Sequence, residues 1–287
     1  MPDSPQTLDS LRQRIDEIDE ALHDLIMQRA GVVHDIAIAK NDNLLAMRPG
    51  REATILRRLA ARHSGAFPLP ELTRIWRELI AGSTRMQAPF AVAVHAPDAQ
   101  TDLWDLARDH YGSHTPMTPV AGPIQAIRAV HDGSAAVAVV PWPVESDIDP
   151  WWQVLVSDDP RTPRVVGSLP FVVTERHRDE PLALALAQLD TEPTGDDHAL
   201  VAVEVTGDIS RSRLKQLLEA VGLPPVAFWT RPARSAEDAA IHLVDVAGFV
   251  APGDARLASL ADRLDELSPH IRLIGGFATP ITIGHRS

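Results

Sequence analysis

The chain has 287 residues and a formal net charge of −12, with 45% apolar and 23% charged residues, the proportions of globular domains rather than of disorder. The acidic excess sits in the back of the chain: through Gln87 there are 12 Lys and Arg against 12 Asp and Glu, and beyond it 15 against 27. No basic face for nucleic acid or an anionic bilayer is therefore expected, and the lack of cysteine excludes disulfides, thiolate zinc sites and thiol nucleophiles.

The first residues, MPDSPQTLDS, hold no apolar signal core, and no run approaches a bilayer-spanning length, so a cytoplasmic protein is expected. From Leu8 the apolar residues Leu11, Ile15, Ile18, Leu22 and Leu25 recur at steps of three and four, the seam of a long helix packed on another helix. Asn41, Asp42, Asn43, Pro49 and Gly50 break the pattern after Lys40. A second helix is predicted from about Arg51 to Arg62, through Ile55, Leu56 and Leu59. A third runs from about Pro70 through Leu72, Ile75, Trp76, Leu79 and Ile80 to Gln87, with its proline in the first turn.

After Pro89 the texture changes. FAVAVHA and AAVAVVPW read as strands, and TDLWDLARDHYG and IQAIRAVHDG as the helices between them, which together suggest a small α/β layer with a parallel pair. Between Pro150 and Glu175 only LPFVVTE resembles a strand, and Arg178 to Asp197 reads as a short apolar helix among turn formers. His110 and His114 have helical metal-pair spacing, but Gly112 intervenes and no carboxylate stands at a regular interval, so no metal is expected. The remainder reads strand, helix, strand, strand, helix, strand, the order of a ferredoxin-like sandwich. The expected fold is thus multidomain, α plus α/β. It divides into a helical unit at 1–89, a small α/β unit at 90–178, a linker at 179–196 and a βαββαβ unit at 197–287.

The chemistry collects in the helical unit. Arg29 falls where the first seam calls for an apolar residue, and steps of four, three and four lead through Val33 and Ile36 to Lys40 on the same face. Ser83 and Gln87 extend the stripe of the third helix, Arg51 and Glu52 open the second, and Arg12 lies one turn after Leu8. Taken singly, each cation could snorkel at a helix edge. Together, several cations and one carboxylate turned inward would cost on the order of several kcal/mol unless an anion neutralised them, so the pattern asks for a small polyanionic ligand.

The stretch LDSLRQRIDEIDEALHDLIMQRAGVVHDIAIAK, then RPGREATILRRLA, then LTRIWRELIAGSTRMQ, resembles the all-helical chorismate mutase family, of the type fused to prephenate dehydratase. The resemblance implies an intertwined homodimer that rearranges chorismate to prephenate without a cofactor. Arg12, supplied across the interface by the partner chain, would join Arg29 and Arg51 on the substrate carboxylates, with Ser83 in support. Lys40 and Gln87 would donate to the ether oxygen, and Glu52 would hold the ring hydroxyl. Arg48 departs from the family pattern, which has an aspartate there.

The second unit resembles a reduced prephenate dehydratase domain: AAVAVVPWPVES and GSLPFVVTE look like its strand and terminal segments. Leu169 and Pro170, however, stand where that family has its catalytic Thr and Arg, and HAPDAQTD replaces its glycine-rich loop. The last unit resembles an ACT regulatory domain through TRPARS, which implies an aromatic amino acid as effector. Assembly is the reading preferred here, since such a unit also pairs edge to edge with a second copy. A chorismate mutase with non-catalytic C-terminal units is therefore expected, ahead of a bifunctional mutase and dehydratase or a non-catalytic regulatory partner.

Overall fold

The computed structural model describes residues 7–40, 46–97, 102–145, 147, 149–174, 182–235 and 238–283, with Lys40 by its backbone alone. The expected break at Asn41–Asn43 and part of the loop 95–102 lie outside these residues. Among the described residues no helix is long and apolar enough to cross a membrane.

Three helices lead: α1 (Leu8–Lys40), α2 (Pro49–Arg62) and α3 (Leu69–Gln87). Pro49 and Pro70 sit in the first turns of α2 and α3, where a missing N–H leaves no helical bond unmade. Unbroken over 33 residues, α1 is about 50 Å long at 1.5 Å per residue. It packs against α3, yet the described residues leave its seam open: Leu8 is 63% exposed, Ile15 59%, Leu22 52% and Leu25 60%. The amphipathic pattern that makes α1 a helix thus leaves an apolar stripe uncovered. In contrast, α2 and α3 lie on the rest of the molecule, where Ala53 and Leu56 bury against Phe171.

A continuous nine-stranded sheet forms that remainder. Its strands are β1 (Val92–His95), β2 (Met117–Val120), β3 (Val137–Pro141), β4 (Arg164–Leu169), β6 (Ala183–Ala187), β7 (Asp197–Val205), β8 (Pro225–Arg231), β9 (Ala240–Ala247) and β10 (His270–Ala278), in the order β2-β1-β3-β6-β4-β10-β7-β9-β8. A separate parallel pair joins β5 (Val172–Val173) to β11 (Ile281–Thr282). Strands β2, β1 and β3 are parallel, with α4 (Asp102–Tyr111) and α5 (Pro123–His131) as crossovers. Strands β10, β7, β9 and β8 are antiparallel neighbours, the ferredoxin-like order, and α6 (Arg211–Ala220) and α7 (Ala255–Arg263) bury Leu214, Leu218 and Leu260 in their core.

Two sequence expectations need correction. The apolar helix expected in the 179–196 linker is strand β6, antiparallel to both β3 and β4 in the sheet interior. Leucine and alanine favour helices, but here they alternate with period two: Leu184 and Leu186 enter the core under α5, and Ala183, Ala185 and Ala187 the one under α4. The strand placed at LPFVVTE begins earlier, as β4, and only Val172–Val173 continues it.

The sheet also crosses the boundary drawn between the second and last units, where β10 meets β4 through Gly275 and Val165. Gly275 has φ +127, and a Cβ there would lie 2.1 Å from the Val165 carbonyl oxygen, so only glycine allows this junction.

Candidate active site

Where α1 crosses α3, the Arg29 Nη1 donates to Ser83 Oγ at 2.7 Å. Ser83 in turn donates to the Leu79 carbonyl at 2.7 Å, which aims its lone pairs at the guanidinium. Burial lowers the pKa of half-buried Arg29, and among the described residues no carboxylate pairs with it. Among the described residues only one of its five N–H donors is engaged, which leaves four for a ligand. One turn on, Gln87 Nε2 donates to the Ser83 carbonyl at 3.0 Å. Arg29, Ser83 and Gln87 are thus brought together by one helix crossing.

Glu52 lies elsewhere in character. It is 8% exposed, and its Oε2 accepts from Arg77 Nη1 at 2.8 Å, while the Arg77 guanidinium stands 5.5 Å over the Phe171 ring. Desolvation lowers the pKa of Arg77, and the charge of Glu52 opposes that shift. Arg77 was not singled out in the sequence, although it sits on the face of α3 that is buried: Thr73, Arg77, Ile80, Ala81 and Thr84. The apolar stripe that suggested the opposite face includes Ile75, which is 46% exposed. An arginine spaced with Thr73, Ile80 and Thr84 was the available signal.

Arg51 is exposed in the first turn of α2. Arg12 is exposed near the far end of α1, 3.3 Å from Asp9, and lies about 26 Å along the helix axis from Arg29. One protomer cannot bring those two to the same ligand. The side chain of Lys40 lies outside the described residues. Arg48 forms an ion pair with Glu192.

A cleft of ≈ 1080 Å³ opens between the start of α2 and the sheet, with Gln87 and Arg48 on one wall and His198 and Phe277 on the other. Arg57, also unpredicted, fastens α2 beside it: Nη1 donates to Thr194 Oγ1 at 2.7 Å, and Nη2 to the carbonyls of Asp196 at 2.6 Å and Thr279 at 2.8 Å. The helix that carries Arg51 and Glu52 is therefore anchored to the C-terminal sheet, not free to swing.

Residues 11–88, which span the helical unit, match the family model for chorismate mutase type II. The bifunctional chorismate mutase/prephenate dehydratase of Pseudomonas aeruginosa is 33% identical over 147 residues, 49% of this chain and 40% of that protein. Its counterpart from Stutzerimonas stutzeri is 30% identical over 140 residues, 47% of this chain and 38% of that protein. These stretches extend past the helical unit, but the chain spans only about two-fifths of the length of these relatives. Among solved structures, prephenate dehydratase from Streptococcus mutans is 15% identical with a TM-score of 0.47, over 68% of this chain and all of that one.

Proposed function

We propose that the protein is a cytoplasmic chorismate mutase that rearranges chorismate to prephenate as a homodimer. The observation that carries this reading is Arg29, a half-buried guanidinium held by a neutral hydroxyl and paired with no carboxylate among the described residues. An anionic ligand completes that site, and the match over residues 11–88 names the ligand class. The rearrangement is intramolecular and needs no nucleophile; it needs a compact substrate conformer and donors aimed where charge develops. Arg29 and Arg51 bind the substrate carboxylates with Ser83 behind Arg29. Lys40 and Gln87 donate to the ether oxygen as its bond breaks. Glu52, with one oxygen held by Arg77, accepts from the ring hydroxyl through the other.

The exposed seam of α1 supports the dimer. Its stripe is long, apolar and uncovered, and an antiparallel second copy would both bury it and carry the partner's Arg12 to the region of Arg29. The C-terminal units serve assembly or regulation. Leu169, in the place of a catalytic threonine, is fully buried in the core and offers no polar group, which argues against dehydration there. Effector binding by the βαββαβ unit is the regulatory form of this reading, with an aromatic amino acid as effector.

The test is chorismate consumption by wild type and by Arg29→Ala under identical conditions. Wild-type turnover that falls in the variant supports the proposal; a variant as active as wild type overturns the assignment of Arg29.

A further inference from the structure

We propose that the cleft between α2 and the sheet is a second ligand site, which takes a small organic acid whose carboxylate is received by His198 and whose apolar body lies on the cleft wall. His198, on β7, bonds through Nδ1 to Asp245 Oδ1 at 2.7 Å, and Asp245 is buried on the adjacent strand β9. Its ring also stacks on Phe277, with centroids 5.1 Å apart and planes 5° from parallel. Two contacts therefore fix the imidazole, as they would in a preorganised binding group. Its remaining nitrogen, Nε2, makes no hydrogen bond to the described residues.

The hydrogen bonds of the cleft wall leave one group open to a ligand. Three wall carboxylates are already engaged: Asp190 by Arg164 at 3.1 Å, Glu192 by Arg48, and Asp197 by Thr194 and the Gly195 N–H. The group left over is His198. Asp245 accepts at Nδ1, so the neutral ring offers only a lone pair at Nε2, whereas the charged ring offers an N–H. The hydrogen bond to Asp245 raises its pKa against the opposing effect of burial, with further support from the charges of Asp196 and Asp197. Phe249, Val166, Met47 and Leu189 supply apolar wall. A carboxylate on an apolar body matches both features.

Arg29 does not line this cleft, and the proposal does not rest on the mutase reading. The cleft nevertheless borders Gln87 and the Arg48–Glu192 pair, so an occupant would touch the helical unit.

Calorimetric titration of the full chain with benzoate, and with benzamide as its neutral analogue, tests the proposal in wild type, His198→Gln, Asp245→Asn and Arg29→Ala. The expected result is benzoate binding by wild type, at least tenfold weaker binding of benzamide, and at least tenfold weaker benzoate binding in both His198→Gln and Asp245→Asn. Arg29→Ala should stay within twofold of wild type. Should His198→Gln fail to fold, the near-isosteric Asp245→Asn gives the same readout. The proposal is overturned by no benzoate binding to wild type, by equal binding in the two cleft variants, or by loss in Arg29→Ala, which would put benzoate in the helical site.

Discussion

Arg29 on α1 and Ser83 on α3 are 54 positions apart in sequence and 2.7 Å apart in space, and their hydrogen bond fixes the angle at which a cation enters the helix crossing. Arg29→Ala should lower kcat/KM for chorismate by about 10²–10³, as expected when a buried, hydrogen-bonded charge pair with a substrate carboxylate loses one partner. Ser83→Ala keeps the cation and loses only its orientation. Its cost should be about 0.5–1.5 kcal/mol, at most roughly tenfold in rate. Steady-state kinetics on both variants, with circular dichroism to verify folding, checks the order of the two effects.

The buried pair Glu52–Arg77 joins α2 to α3 beneath Phe171. Arg77→Leu leaves a carboxylate buried without its partner and should destabilise the protein by about 3–5 kcal/mol. The double variant Arg77→Leu/Glu52→Leu removes both charges and should regain most of that stability without regaining activity. Denaturant unfolding of the single and double variants measures the coupling; additive losses would show that the pair does not act as a unit.

Along α1, Leu22→Lys and Leu25→Glu each place a charge on the uncovered stripe. Light scattering should give about half the wild-type mass for either variant, with a parallel loss of mutase activity because Arg12 no longer reaches a partner site. A wild-type protein that is itself monomeric, yet active, would refute the shared-site arrangement.

At the sheet junction, Gly275→Ala must move a methyl group out of the Val165 backbone while it also holds a positive φ. A loss of about 3 kcal/mol or more is expected, since the collision is with main chain and no rotamer relieves it. Gly82→Ala on α3, where a new Cβ meets nothing within 4 Å, is the matched control and should be neutral or slightly stabilising. Thermal unfolding of the two variants separates junction strain from a general intolerance of substitution.

The helices of the first unit were legible because an amphipathic pattern repeats over many turns, and the βαββαβ order because its strands and helices alternate cleanly. Strand β6 was not, since a strand buried on both faces carries no polar alternation and its Leu-Ala composition favours a helix. The site shows the same division. Arg29 and Ser83 stand out as polar interruptions of apolar stripes, which local periodicity exposes. Arg57 reaches its partners Thr194, Asp196 and Thr279 across 137, 139 and 222 positions, so only the fold reveals what it holds. Arg77 was hidden by the assumption that the more apolar face of α3 is the buried one. The packing of α2, α4 and Phe171 on the other side of α3 reverses that, and buries the face with Thr73, Arg77 and Thr84 instead.

The central claim is that the helical unit converts chorismate to prephenate and that the units behind it do no further chemistry. Incubation of the purified full-length protein with chorismate, followed by separation of prephenate from phenylpyruvate without exposure to acid, tests it most directly. Prephenate that accumulates alone and in proportion to the chorismate consumed is the predicted result. Phenylpyruvate formed alongside it, or chorismate left unconsumed, would contradict the account.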